Sequence, residues 1–344
     1  MRVLFIGGTG TISTAITKQL AETTHELYLL NRGNRNSETP PNVKTITADI
    51  HDEAAVSKLL EGKSFDVVCD FIGFTTEDVK RDYRLFNGKT RQYIFISSAS
   101  AYHKPLGDYH ITEGTTLSNP YWKYSRDKIA CEEFLLRMYS ENGFPVTIVR
   151  PSHTYDERSI PLGVHGKNGS WQVAKRMMEG KPVIIHGDGT SLWTMTHNSD
   201  FAKGFIGLMG NPHAIGEAFQ ITSDETLTWN QIYQSIAQAL NVELKPHYVP
   251  SEFLHQVGDQ YDFEGSLIGD KANSVVFDNS KIKRIVPDFQ CTIRFDQGIQ
   301  KTISNVLSNK NLQREDPEFD QWCDEVIEAL ENAKQTILKS NKNK

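Results

Sequence analysis

The chain has 344 residues, 38% of them hydrophobic and 23% charged, which suits two domains of ordinary size and excludes disorder, a collagen-like repeat or a coiled-coil rod. Lys and Arg number 37 against 43 Asp and Glu, a net charge of −6, so nucleic acid is an unlikely partner by charge and an anionic membrane is no default one. Four cysteines, Cys69, Cys131, Cys291 and Cys323, lie far apart with no C-x-x-C pair, which argues against a zinc site or disulfide framework and for a reducing, cytoplasmic setting.

Residues 3–6, Val-Leu-Phe-Ile, form an apolar run stopped by Gly7-Gly8, as expected of a strand buried on both faces and too short for a signal peptide. Ile12, Ile16 and Leu20 then follow helical spacing over residues 12–22. Further strands are expected at residues 27–30, 43–47, 67–69, 93–96 and 146–149, with helices near 54–60, 76–86 and 124–141 between them. This alternation predicts an α/β fold, a Rossmann-type doubly wound parallel sheet over residues 1–150. After Arg150-Pro151 the pattern becomes irregular, with turns at Gly163, Gly166, Gly169 and Gly187-Asp188-Gly189. A smaller substrate-binding lobe is expected over residues 151–315, some of its segments returning to the first body. Its expected elements are helices at 200–209 and 229–240 and a strand at 218–222. Residues 316–344 carry an amphipathic helix with a stripe of Phe319, Trp322, Val326, Ala329 and Leu330, then a frayed tail. No apolar run reaches the ~18 residues of a membrane span.

Gly7-Gly8-Thr9-Gly10-Thr11-Ile12-Ser13 stands between the first strand and the first helix. Glycines there allow a tight turn and close approach of backbone N–H groups to a pyrophosphate at a helix N-terminus, where the dipole favours anions. The end of the second strand reads Asn31-Arg32-Gly33-Asn34-Arg35. An acid at that point would accept hydrogen bonds from free ribose hydroxyls. With none present and two guanidinium groups able to pair with a 2′-phosphate, NADP is preferred over NAD. Asp49-Ile50 after the third strand either holds adenine or caps the following helix. Tyr124 and Lys128, four residues apart, share a helix face, and a nearby cation favours phenolate, making the tyrosine a usable base.

Together with Phe95-Ile96-Ser97-Ser98-Ala99-Ser100-Ala101-Tyr102 and Arg150-Pro151, these motifs resemble the extended branch of the short-chain dehydrogenase/reductase superfamily, the NAD(P)-dependent epimerase/dehydratase family. The resemblance spans residues 1 to about 305. It implies that Ser98 bonds the substrate oxygen, that Tyr124 exchanges a proton with it, and that Lys128 binds the nicotinamide ribose. It also implies cofactor contacts along Gly7, Thr9, Gly10, Thr11 and Ile12 and at Phe71, and a two-fold dimer through helices 76–86 and 124–141.

The departures from the family are informative. Sugar 4,6-dehydratases of this branch carry Asp and Glu after the catalytic hydroxyl; Ala99 and Ser100 cannot supply that acid and base. His153 replaces the Asn that commonly contacts substrate, and Trp193 falls where relatives use an Arg to grip a nucleoside diphosphate. Trp122 and Trp171 are further candidates for a substrate-facing wall. The expected activity is reversible hydride transfer on a secondary alcohol or ketone of a carbohydrate-like small molecule, with epimerisation as its outcome. The alternatives are NADP-dependent ketone reduction and a non-catalytic RNA-binding or regulatory role.

Overall fold

The computed structural model describes residues 1–34 and 39–342 and divides into two compact units. The first comprises Met1–Asp156, Thr194–Thr226 and Val275–Arg294. Its centre is a sheet of seven strands: β1 (Arg2–Ile6), β2 (Glu26–Asn31), β3 (Lys44–Thr47), β4 (Val67–Asp70), β5 (Tyr93–Ile96), β6 (Val146–Pro151) and β7 (Ala218–Ile221). Their order is β7-β6-β5-β4-β1-β2-β3, and every neighbouring pair is parallel. The order reverses at β1, which pairs with β2 on one side and β4 on the other. Loops leaving the carboxyl ends of strands diverge there, and doubly wound sheets bind ligands in that crevice.

Parallel strands need crossover connections, most of them helical here. These are α1 (Thr11–Ala21), α2 (Glu53–Leu59), α3 (Thr76–Phe86), α4 (Lys123–Asn142) and α5 (Asn198–Leu208). Strand residues alternate between two cores. Val3, Phe5, Leu29, Cys69 and Ile94 meet Ile16 and Leu20 of α1 and Phe201 and Phe205 of α5. Leu4, Ile6, Leu30, Val68 and Phe95 meet Val56, Val79, Phe86 and Leu135 of α2 to α4. Each such buried side chain contributes roughly 1.5–3 kcal/mol by leaving water. Central strands buried on both faces read as continuous apolar runs, so β1, β4 and β5 were evident from sequence. Residues 218–221, which the sequence placed in the second half of the chain, supply the edge strand of this same sheet.

The second unit comprises Glu157–Trp193, Leu227–Ser274 and Phe295–Lys344. It contains helices Trp171–Met178, Trp229–Ala239, Phe295–Ser308 and Pro317–Lys342, and a parallel strand pair, Val183–His186 with Pro246–Val249. In the last helix Phe319, Trp322, Cys323 and Val326 are buried, whereas Ala329 is exposed, so the stripe ends one turn earlier than the spacing predicts. Two acids of this helix explain its docking. Buried Arg176 pairs with Asp320 at 2.8 Å and Asp324 at 2.7 Å, a fixed fork matched to two carboxylates.

Candidate active site

A cleft of about 550 Å³ lies over the carboxyl ends of β1 to β4, lined by Gly7, Gly8, Thr9, Gly10, Asn31, Arg32, Asp49, Ile50 and Phe71 among others. Gly7 and Gly8 both have φ of +101°, a conformation costly for other residues. A Cβ on Gly8 would come within 2.6 Å of Leu29 Cδ2. The turn is fastened from behind by side chains the sequence reading passed over: Thr17 Oγ1 donates to Gly8 O at 2.8 Å and Thr14 Oγ1 to Gly10 O at 2.6 Å. Ser13 Oγ accepts the Gly10 N–H at 2.9 Å. Helix α1 opens at Thr11 with no acid in its first turn, so the N–H groups of Thr11 and Ile12 start the helix without an intrahelical acceptor. A helix N-terminus free of negative charge, reached through glycines, fits a pyrophosphate.

At the far side of the cleft, Asn31 Oδ1 accepts the Gly33 N–H at 2.8 Å. A backbone N–H can only donate, which fixes the amide's orientation. The Asn31 Nδ2 is then a buried donor with no acceptor among the described residues, an arrangement suited to an acceptor-rich ligand. Arg32 is exposed at the rim; Arg35 lies outside the described residues. Asp49 Oδ1 accepts from His51 N–H, while the α2 cap is supplied by Asp52 Oδ1 to Ala55 N–H, both at 3.0 Å. Ile50 is buried, and the Phe71 ring meets Phe5 edge-on with centroids 5.0 Å apart.

Tyr124 and Lys128 lie one turn apart on α4. Lys128 is 2% exposed, and its Nζ donates to Gly73 O at 2.6 Å and to Ile96 O at 2.7 Å. The Phe95 and Phe74 rings stand 4.7 and 4.8 Å from it, and the Tyr124 ring 5.8 Å. Burial pushes the ammonium down to about 8, opposed by the charge of Asp70. With the Asp70 charge, the two carbonyls and the aromatic faces favour the cation.

The support for Lys128 reaches deeper than its two acceptors. Buried Asp70, at the end of β4, accepts the N–H groups of Ile72 and Gly73, both at 2.9 Å, and so shapes the loop that presents Gly73 O. Tyr93 OH donates to Asp82 at 2.7 Å. Arg81 is clamped between Asp82 and Asp78, 2.9 Å from each. Burial, then the neighbouring Asp70 charge, raises the Asp82 carboxyl well above its ordinary range. None of these residues stood out in the sequence, because they pair across elements without a motif.

Ser98 follows β5 and caps a short 3-10 turn, Ala99–Ala101, by accepting the Ser100 N–H at 3.2 Å. His153 lies on the short strand His153–Tyr155, in register with Met195. Trp193 belongs to the second unit, where it is 3% exposed and its ring centroid lies 5.7 Å from that of Trp229. Trp171 of the same unit is buried, and Trp122 packs on Tyr124 with centroids 5.0 Å apart. Among the described residues no cluster of His, Cys, Asp and Glu could hold a metal ion, and no helix is long and apolar enough to cross a membrane.

Comparison with known proteins agrees with this geometry. The chain is 24% identical over 290 residues to the 2′-dehydrokanamycin reductase of Streptomyces kanamyceticus, covering 84% of this chain and 80% of that protein. It is 25% identical over 267 residues to the chloroplast stem-loop binding protein of 41 kDa b of Arabidopsis thaliana, covering 73% and 67%. Among solved structures, the UDP-glucuronic acid 4-epimerase of Bacillus cereus in complex with NAD superposes with a TM-score of 0.71 at 19% identity, covering 91% of this chain and all of that one. Pal from Bacillus thuringiensis gives 0.71 at 20% identity, covering 90% and 99%. The family model for the NAD dependent epimerase/dehydratase family matches residues 3–222. With a glycine turn, a parallel sheet reversing at β1 and a Tyr-x-x-x-Lys helix in that span, the chain belongs to the NAD dependent epimerase/dehydratase family.

Proposed function

We propose that this protein is an oxidoreductase that moves hydride reversibly at a secondary alcohol or ketone of a carbohydrate-like small molecule, with an epimerase-like outcome. The observation that carries this reading is Lys128, buried beside Tyr124 and bonded to the backbone at Gly73 and Ile96, next to a cleft fit for a dinucleotide. A bound nicotinamide dinucleotide supplies or takes up the hydride. Ser98 donates a hydrogen bond to the substrate oxygen, and Tyr124 exchanges the proton at its phenolic oxygen. Lys128 holds positive charge near that oxygen and has one N–H left for a ribose hydroxyl. Gly7, Thr9, Gly10, Thr11 and Ile12 receive the pyrophosphate, while Asp49, Ile50 and Phe71 border the adenosine and ribose; His153 faces substrate.

NADP is the preferred cofactor in this reading. An amide, Asn31, stands where an acid would bond free ribose hydroxyls, and Arg32 stands at the rim. A second reading, net ketone reduction, is favoured by the same feature and by the similarity to 2′-dehydrokanamycin reductase. The substrate carries no nucleoside diphosphate. The position of the expected Arg is the buried Trp193, Lys271 is engaged by Asp270 at 3.8 Å and Ser266 O at 3.2 Å, and His197 accepts Ser199 N–H as the cap of α5. Buried against Trp229, Trp193 offers a substrate little surface. The non-catalytic RNA-binding reading has the stem-loop binding relative in its favour, but it leaves the Tyr124 and Lys128 arrangement without a use. A homodimer through α3 and α4 accounts for exposed Leu136 and Tyr139 on α4, and four free cysteines suit the cytoplasm.

The test is a panel of methyl glycopyranosides bearing a ring ketone, assayed with NADPH and NADH. Turnover of a keto-glycoside that falls by roughly 10²-fold or more in Tyr124→Phe is expected. Reduced cofactor consumed in step with product indicates reduction; interconversion of epimers without net consumption indicates epimerisation. A fully active Tyr124→Phe overturns the mechanism.

A further inference from the structure

Ser98 is joined to a line of buried hydroxyls that no dehydrogenase chemistry requires by itself. Ser98 Oγ lies 2.8 Å from Ser100 Oγ, Ser125 Oγ lies 2.8 Å from Ser100 Oγ, and Asn119 Nδ2 lies 3.3 Å from Ser125 Oγ. Ser100, Ser125 and Asn119 are 4%, 0% and 2% exposed, whereas Ser98 is half-buried and reaches the surface. Four polar side chains from three separate segments thus form one wire with a single open end.

The fixed donors and acceptors at its closed end favour one direction for that wire. Asn119 Oδ1 accepts the Tyr121 N–H at 3.2 Å, and Asn119 Nδ2 donates to the carbonyl of Ser100 at 2.8 Å. A backbone N–H only donates and a carbonyl only accepts, so the amide has one orientation and its Nδ2 must donate to Ser125 Oγ. Ser125, having accepted, spends its own proton on Ser100 Oγ. Ser100 Oγ, accepting from Ser125, is then free to give its proton to Ser98 Oγ, although the 2.8 Å contact by itself allows either oxygen to donate. Ser98 Oγ already accepts the Ser100 N–H at 3.2 Å, so with Ser100 Oγ as the donor both of its lone pairs are used inside the protein, and its own proton has only the open side to go to.

We infer that Asn119, Ser125 and Ser100 are positioning residues that act through Ser98, forming a one-way relay that makes Ser98 an obligate hydrogen-bond donor to the substrate oxygen. This rests on the reading of Ser98 as the substrate-facing hydroxyl. A hydroxyl that accepts two hydrogen bonds donates more strongly, because each bond polarises the next.

Neutron diffraction from deuterium-exchanged crystals of the full chain decides the polarity without any substrate. The expected map has a deuteron on Ser125 Oγ directed at Ser100 Oγ, one on Ser100 Oγ directed at Ser98 Oγ, and the Ser98 deuteron directed away from Ser100. A deuteron on Ser98 Oγ directed at Ser100 Oγ overturns the inference. Kinetics with a methyl keto-glycoside and NADPH test the consequence. Ser100→Ala should lower kcat about 10-fold with KM changed less than about 2-fold, and Ser125→Ala should lower it by a smaller factor. In a Ser98→Ala background both further substitutions should be silent. Losses that simply multiply in that background contradict action through Ser98. A Ser98→Ala variant with full turnover would instead fail the functional reading, while the neutron map would still decide the relay.

Discussion

Replacing Lys128 by Met removes the buried ammonium while keeping an unbranched side chain, and the structure sets the pH dependence of the effect. The group is 2% exposed, and burial takes it from 10.5 to about 8. A lysine whose folded value is depressed binds its proton more readily when unfolded, so protonation favours unfolding. The penalty is therefore complete below about pH 8 and vanishes above about 10.5. At about 1.4 kcal/mol per pH unit, the gap of about 2.5 amounts to roughly 3 kcal/mol. Between pH 7 and 9.5 about 2 kcal/mol of it is relieved. Urea unfolding of wild type and Lys128→Met at both pH values removes the titrations common to the two chains. Wild type should gain about 2 kcal/mol on the variant as pH rises. A difference that stays constant, or that moves toward the variant, would refute the argument that Lys128 is held as a desolvated cation.

Gly73→Ala would set a Cβ 2.1 Å from Asp70 Oδ2 and 3.3 Å from Phe95; displacing the carboxylate from the N–H groups of Ile72 and Gly73 should cost about 1–3 kcal/mol in thermal or urea unfolding, and an unchanged stability would show the loop is not held by Asp70. Gly8→Ala, strained by its φ of +101° and by Leu29, should weaken dinucleotide binding by calorimetry at least about 10-fold; undiminished affinity would place the ligand elsewhere. Arg32→Ala should weaken NADP by roughly 10-fold or more and leave NAD nearly unchanged, whereas equal affinities in the parent protein would remove NADP preference from the account.

The fold was legible wherever one residue type has one structural use. Strands buried on both faces must be apolar throughout, as in residues 3–6 and 93–96, and φ of +101° at residues 7 and 8 demands glycine. Tyr124 and Lys128 were legible because four residues make one helical turn. What stayed hidden depends on distance through the fold. Asp70 reads as an acid interrupting a strand until its carboxylate is seen closing the loop that holds Lys128. Ser100 reads as a loop serine until Ser125, 25 residues on, is found 2.8 Å away. Trp193 reads as a substrate-facing residue, and nothing in its sequence neighbours reveals Trp229 beside it. Edge strands such as residues 218–221 return to the sheet after long excursions, and local patterning carries no information on that return.

The central claim is that Tyr124 completes a hydride transfer between a dinucleotide in the glycine-turn cleft and a small carbohydrate-like molecule. Its most direct test supplies the purified protein with NADPH deuterated at the transferable position and with methyl keto-glycosides, the kind of ketone through which both epimerisation and reduction pass, then follows deuterium into the alcohol by mass spectrometry. The account requires one deuterium in a polyhydroxylated product from the wild type and its absence with Tyr124→Phe. Equal labelling by the two proteins would contradict it.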